Sequence, residues 1–188
     1  MPAALNVPNA ITLVRFALVP AIAHALLTDA WARACALFVV SAVSDVADGF
    51  IARRWNLRTR FGAVADPLAD KLTMFVVAVL LAWQGALPWW FALAVVARDV
   101  LIVGGALAYH LRHGAFEVAP SRVSKLNTGL EFALLLGVLA AGAGVVPDGA
   151  WLDALLAATL ATIVWSGADY VVVWGRKAAR ARRSALSR

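Results

Sequence analysis

The chain has 188 residues, enough for one domain, and it is 63% hydrophobic and only 15% charged. A mean hydropathy of +0.81 is more apolar side chain than a water-soluble domain of this size can bury, so the solvent is lipid. The formal net charge of +6 would suit nucleic acid, but the cations flank apolar segments, which excludes a nucleic-acid partner.

Six apolar segments, each long enough to span hydrocarbon, fall at roughly 8–28, 31–54, 63–84, 87–111, 121–145 and 150–174. Breaker signals separate them: Thr28-Asp29, the polar Asn56–Arg60 linker, Gly85 with Pro88, the stretch from His113 to Pro120, and Pro147-Asp148-Gly149. The expected fold is all-α, a polytopic membrane protein of six transmembrane helices over residues 1–175, with a basic cytoplasmic tail at 176–188. The single Cys35 forms no internal disulfide and reads as a small apolar residue. No cleavable signal peptide is expected, because no basic n-region precedes the first apolar run.

Segment one opens Val7-Pro8-Asn9-Ala10-Ile11-Thr12-Leu13-Val14-Arg15, in which Pro8 and Asn9 are helix-start residues. Arg15 is its only charge, and should snorkel or face the protein interior.

The end of segment two and the start of segment three hold four of the chain's eleven carboxylates: Asp45, Asp48, Asp66 and Asp70. Asp45 and Asp48 are i, i+3, and Asp66 and Asp70 are i, i+4, so each pair shares one helix face. Carboxylates at membrane depth are costly unless paired or metal-bound. Two such helices facing each other would gather four acids, and divalent cations would offset their repulsion. An oxygen-only donor set suits Mg²⁺ or Mn²⁺, and the absence of His and Cys from the stretch argues against zinc. Gly49, Ala52 and Gly62 leave room for a substrate, and Arg53 offers a guanidinium with phosphate-binding geometry.

The pattern D-x2-D-G-x2-A-R-x8-G-x3-D-x3-D is met by Asp45, Asp48, Gly49, Ala52, Arg53, Gly62, Asp66 and Asp70. It resembles the signature of the CDP-alcohol phosphatidyltransferases, and the length and six-segment layout are similar to that family's. The opening from Pro8 to Arg15 resembles the family's P-N-x-x-T-x-x-R run. The resemblance implies an enzyme of phospholipid biosynthesis that moves a phosphatidyl group from CDP-diacylglycerol to an alcohol and releases CMP. It implies metal ligation by Asp45, Asp48, Asp66 and Asp70, with two ions expected, and Asp70 as general base. It implies contact with the CDP-lipid by Pro8, Asn9, Gly49, Arg53, Thr59 and Gly62, and a homodimer.

The remaining charges set orientation and the acceptor. Arg53, Arg54, Arg58 and Arg60, then Arg112, Arg122 and Lys125, then the tail cations from Arg176 onward lie on one side, against Arg33 alone on the other. By the positive-inside rule both termini and the acidic site face the cytoplasm from the inner membrane. The tail reads as an anchor to anionic lipid. In segment four, Arg98 and Asp99 are adjacent, cannot share a helix face, and should need separate partners. Arg98, Arg122 and Lys125 suggest an acceptor that carries phosphate.

The run from Arg98 to Ile102 and the run from Pro120 to Thr128 look similar to cardiolipin synthases, which use phosphatidylglycerol. The Val-Pro-Asn-Ala-Ile-Thr opening is shared with phosphatidylglycerophosphate synthases, which use glycerol 3-phosphate. A glycerol-type acceptor is therefore expected, with inositol phosphate, serine or choline as alternatives. From other classes, a membrane prenyltransferase and a cation transporter built on the acidic cluster are the competing readings. Glu131, Asp153 and Asp169 are further acids expected to pair internally or lie near an interface.

Overall fold

The computed structural model describes the backbone of residues 7–55, 60–113 and 122–186, and the side chains of 9–51, 54–55, 62, 65–101, 104 and 123–168. Six helices follow in order: α1 Val7–Leu27, α2 Trp31–Arg54, α3 Arg60–Trp83, α4 Trp89–His113, α5 Arg122–Gly142 and α6 Ala150–Leu186. They match the six apolar segments. The chief difference is α6, which continues without a break through the basic segment to Leu186. Ala, Arg and Lys dominate that segment, and all three are strong helix formers.

The chain is an all-α polytopic membrane protein. Among the described residues, four helices are long and apolar enough to cross a bilayer: Asn9–Leu27, Trp31–Ile51, Val123–Gly142 and Ala150–Ala168. The expectation of six spanning segments is met as six helices, four of which satisfy that test within the described residues. Helix α3 is as long, at 24 residues, yet carries three charges, Asp66, Asp70 and Lys71, within its length, and the side chains of α4 beyond Leu101 lie, Gly104 apart, outside the described residues.

Side by side, the helices close a ring in the order α1, α2, α5, α6, α4, α3 and back to α1. Three turns close one end of it. In each, a left-handed residue ends the helix: Asp29 at φ 53°, Gly85 at φ 76° and Gly144 at φ 69°. The amide after each bonds back five residues, as Ala30 to Ala25, Ala86 to Leu81 and Val145 to Ala140. This is the Schellman closure, which satisfies carbonyls the helix end would otherwise leave open. Gln84 Nε2 donates to the Leu26 carbonyl at 2.6 Å and to Asp29 Oδ1 at 3.2 Å, tying two of these turns together.

The ring has an apolar half and a polar half. Toward the closed end, every helix contributes to one core: Ile22 and Leu26, Phe38, Val77 and Leu81, Phe91, Leu134 and Leu139, and Ile163. Water exclusion gives no drive between helices already in lipid, so close packing must hold them. Buried Ala25, Ala34, Ala78, Ala82 and Ala92 let the backbones approach. Gly142 gives the Trp31 ring a seat, since a Cβ there would stand 2.2 Å from it. Trp31, Trp83, Trp89, Trp90 and Trp151 lie at the helix ends of this side, as expected of residues at a membrane–water boundary. Toward the other end the buried residues change to Asn9, Thr12, Arg15, Asp48, Arg98, Ser124, Asn127 and Ser166.

Candidate active site

Three helices build an acidic cluster in the polar half. Asn9, Thr12 and Arg15 recur every three residues on α1, so they follow one face, and all three are buried. The Thr12 hydroxyl donates to Asp66 Oδ1. The Arg15 guanidinium is 1% exposed and ion-pairs with Asp45 through Nη1. The same nitrogen stands 3.7 Å from Asp48 Oδ2, and Nη2 stands 3.6 Å from Asp70 Oδ1. Helix α1 thus joins the acids of α2 to those of α3, and the four sequence-predicted aspartates do assemble in one place.

The cluster is closed on one side and open on the other. Asp48 is 3% exposed, whereas Asp45 and Asp70 are each 42% exposed. Gly62 is buried at the start of α3, and Gly49 is half-buried beside Asp48. Thr59 lies outside the described residues, as do the side chains of Pro8, Arg53 and Arg122.

The donor chemistry of the cluster, though not the spacing of its acids, suits a hard divalent cation. Its atoms are carboxylate oxygens, and Asp48 Oδ2 is buried without a hydrogen-bond partner, an acceptor still to be satisfied. Among the described residues no three acidic, His or Cys side chains stand close enough to share one ion. The acids are instead arranged around Arg15.

A cavity of about 840 Å³ adjoins the cluster between α3, α4 and α5. Asp70 belongs to both. The polar wall of the cavity is Asp70, Lys71, Arg98, Asp99, Ser124 and Lys125, with Glu131 deeper. Arg98 is 5% exposed. Its Nη1 donates to Asp99 Oδ1 at 2.6 Å, and its Nη2 to Ser124 Oγ at 2.7 Å. Asp99 Oδ2 accepts from Lys71 Nζ at 2.6 Å. The expectation that Arg98 and Asp99 need separate partners is met by Ser124 and Lys71. Each has an interhelical partner, and they also bond each other, because the long arginine arm curls back across the angle between neighbouring helical positions. Lys125 is exposed at the rim and Glu131 is buried. The remaining wall, including Leu68, Leu72, Phe75 and Val100, is apolar, and these four side chains are exposed on the outer surface of the bundle.

Sequence reasoning missed Thr12 and Arg15 as members of the cluster and Ser124 as the partner of Arg98. The three-residue spacing of Asn9, Thr12 and Arg15 was the available signal. Asp153 is exposed in the first turn of α6, at the tryptophan-lined end, and the side chain of Asp169 lies outside the described residues.

Residues 5–171 match the CDP-alcohol phosphatidyltransferase family. The chain belongs to that family. Membership makes it a phosphatidyl-transferring enzyme of phospholipid biosynthesis and decides against the cation-transport reading. Among similar proteins, one from Mycobacterium tuberculosis named "Putative cardiolipin synthase" is 35% identical over 173 residues, covering 90% of this chain and 78% of that protein. The CDP-diacylglycerol–glycerol-3-phosphate 3-phosphatidyltransferase of Pectobacterium atrosepticum is 37% identical over 178 residues, covering 88% and 93%. The human cardiolipin synthase (CMP-forming) is 27% identical over 188 residues, covering 92% of this chain and 62% of its own length. As a CDP-alcohol phosphatidyltransferase, the chain carries the whole acidic signature on α2 and α3, with α1 as its third wall.

Proposed function

We propose that the protein transfers the phosphatidyl group of CDP-diacylglycerol to a glycerol-type acceptor that carries phosphate. The observation that carries this reading is the position of Asp70, which faces the acidic cluster on one side and, on the other, the cavity that holds Lys71, Arg98 and Lys125. The donor's diphosphate belongs at the cluster and the acceptor in the cavity, so Asp70 stands where the two substrates meet.

Asp45, Asp48, Asp66 and Asp70 would hold the divalent cations, Mg²⁺ or Mn²⁺ and two in number. Bound there, they supply neutralisation of the diphosphate and of the departing CMP. Asp70 takes the proton of the acceptor hydroxyl. The hydroxyl oxygen bonds to the phosphatidyl phosphorus, the bond from that phosphorus to CMP breaks, and CMP leaves with the electron pair. Pro8, Asn9, Gly49, Arg53, Thr59 and Gly62 are assigned to the CDP-lipid on the family pattern. Arg98, Arg122 and Lys125 are assigned to the acceptor phosphate. Asp99 and Ser124 hold the Arg98 guanidinium in place.

Phosphatidylglycerol is the favoured acceptor, with cardiolipin as product. The support is the amphipathic cavity, whose apolar wall of Leu68, Leu72, Phe75 and Val100 also lies exposed on the bundle surface. Glycerol 3-phosphate has no use for such a wall. The basic linkers and the tail, on the side of the acidic site, support an inner-membrane enzyme with both termini and the site in the cytoplasm. The family resemblance adds a homodimer.

The test is CMP release by purified protein from CDP-diacylglycerol and Mg²⁺, with phosphatidylglycerol or glycerol 3-phosphate in separate reactions and the lipid product identified by mass spectrometry. Cardiolipin from the first reaction and nothing from the second is expected. Phosphatidylglycerophosphate from the second would replace the acceptor. Release from neither would overturn the glycerol-type reading.

A further inference from the structure

Arg15 is a permanent cation buried among like-charged acids from two other helices. A guanidinium keeps its proton at any accessible pH. Its planar fork can serve carboxylates on two sides at once. Here it does so: Nη1 engages Asp45 and approaches Asp48 on α2, and Nη2 approaches Asp70 on α3. These are oxygens that a divalent cation would also require. Carboxylate oxygens held apart by a guanidinium cannot close on an ion until the guanidinium gives way. Arg15 Nε is itself buried without a hydrogen-bond partner, so the cluster does not satisfy the side chain completely.

We propose that Arg15 is a built-in competitor of the divalent cation, an internal counter-ion that keeps the α2 and α3 acids together and sets how tightly the cluster takes metal. The proposal rests on reading the four aspartates as metal ligands. It makes Arg15 a positioning residue that acts through Asp45, Asp48 and Asp70. Removing its charge has two opposite effects. The cluster without metal becomes harder to hold together, and the cluster with metal becomes easier to form.

The experiment is Mn²⁺ binding to detergent-purified protein, read as loss of the free-ion electron paramagnetic resonance signal, with melting temperatures in chelator and in saturating Mn²⁺. Arg15→Met is expected to bind Mn²⁺ about tenfold or more tightly than the natural protein, given the size of a charge interaction at this separation. Its melting temperature should fall in chelator and recover in Mn²⁺. Arg15→Lys keeps the charge and should stay within a few-fold of the natural affinity. An Arg15→Met affinity equal to or weaker than that of the natural protein would overturn the proposal.

If Arg15→Met does not survive chelation, Arg15→Gln purified throughout in Mn²⁺ takes its place, and graded chelator reads its affinity. Asp48→Asn is the control that assigns the bound ion to the cluster. Mn²⁺ binding that Asp48→Asn removes, but that ignores the charge at position 15, sinks the competitor role alone. Binding that Asp48→Asn does not affect sinks the metal reading and the competitor role together.

Discussion

Lys71 on α3 and Asp99 on α4 meet at 2.6 Å on the wall of the cavity. The pair is partly exposed, at 46% and 29%, so its contribution to stability is small, about 1 kcal/mol or less. Its larger effect is on Arg98, because Asp99 is shared between the two cations. Lys71→Met should leave the melting temperature nearly unchanged. Arg98→Lys should be costlier, since a point charge cannot bond Asp99 and Ser124 together. Its KM for the acceptor should rise about tenfold with kcat little altered, corresponding to a loss on the order of 1.4 kcal/mol of binding. A thermal melt checks the first variant, and steady-state kinetics with varied acceptor check the second.

Asp70→Asn should fold and lose turnover by roughly 10²–10⁴, the usual share of a general base. A thermal melt and CMP release, measured on one preparation, report the two separately. Near-normal turnover would remove Asp70 from the role of base.

Activity should vanish in chelator and return with Mg²⁺ or Mn²⁺. Ca²⁺ is larger and accepts looser geometry, so it should restore less. A rate unaffected by exhaustive chelation would contradict the assignment of the four aspartates.

Thr12→Val deletes the hydroxyl that donates to Asp66 Oδ1. A hydrogen bond to a charged acceptor is worth about 1.5–3 kcal/mol. The melting temperature should drop accordingly, and turnover should drop with it because Asp66 loses its anchor to α1. Equal turnover per folded molecule would show that Asp66 needs no such anchor.

Gly142→Ala places a methyl group 2.2 Å from the Trp31 ring, so the α2–α5 contact must shift. Overpacking of this kind costs about 1–3 kcal/mol. The contact lies at the closed end, away from the acids, so specific activity of the folded variant should be retained while thermal stability falls. Differential scanning fluorimetry and CMP release report the two quantities separately.

The helices were legible because their ends carry strong local signals. Asp29 and Gly85, read from the sequence as breakers, are left-handed closures, and so is Gly144, which the sequence left inside segment five. The acidic pairs were legible because i, i+3 and i, i+4 spacing fixes a common face on any helix. The neighbour order around the ring was not legible. In lipid, the faces of α2 and α5 that touch protein and those that touch acyl chains are equally apolar, so periodicity does not mark a partner. Arg15 showed the same limit. Burial was one of its two expected placements, but its partners are 30 to 55 residues away and depend on how α1 lies across α2 and α3. The Arg98–Asp99 bond was hidden because helical spacing speaks for Cβ directions and not for the reach of a long side chain.

Helix α6 continues past its apolar segment, which ends near residue 174, as far as Leu186. The surplus is about 18 Å of helix at ~1.5 Å per residue. A helix couples rotation to length, so the bearing of each later position about the helix axis is dictated by winding number. Inserting one residue just after Ala168 would swing every later cation by about 100° while leaving the acidic chamber untouched. Four inserted residues would bring them back within about 40° of their original bearing, one turn farther out.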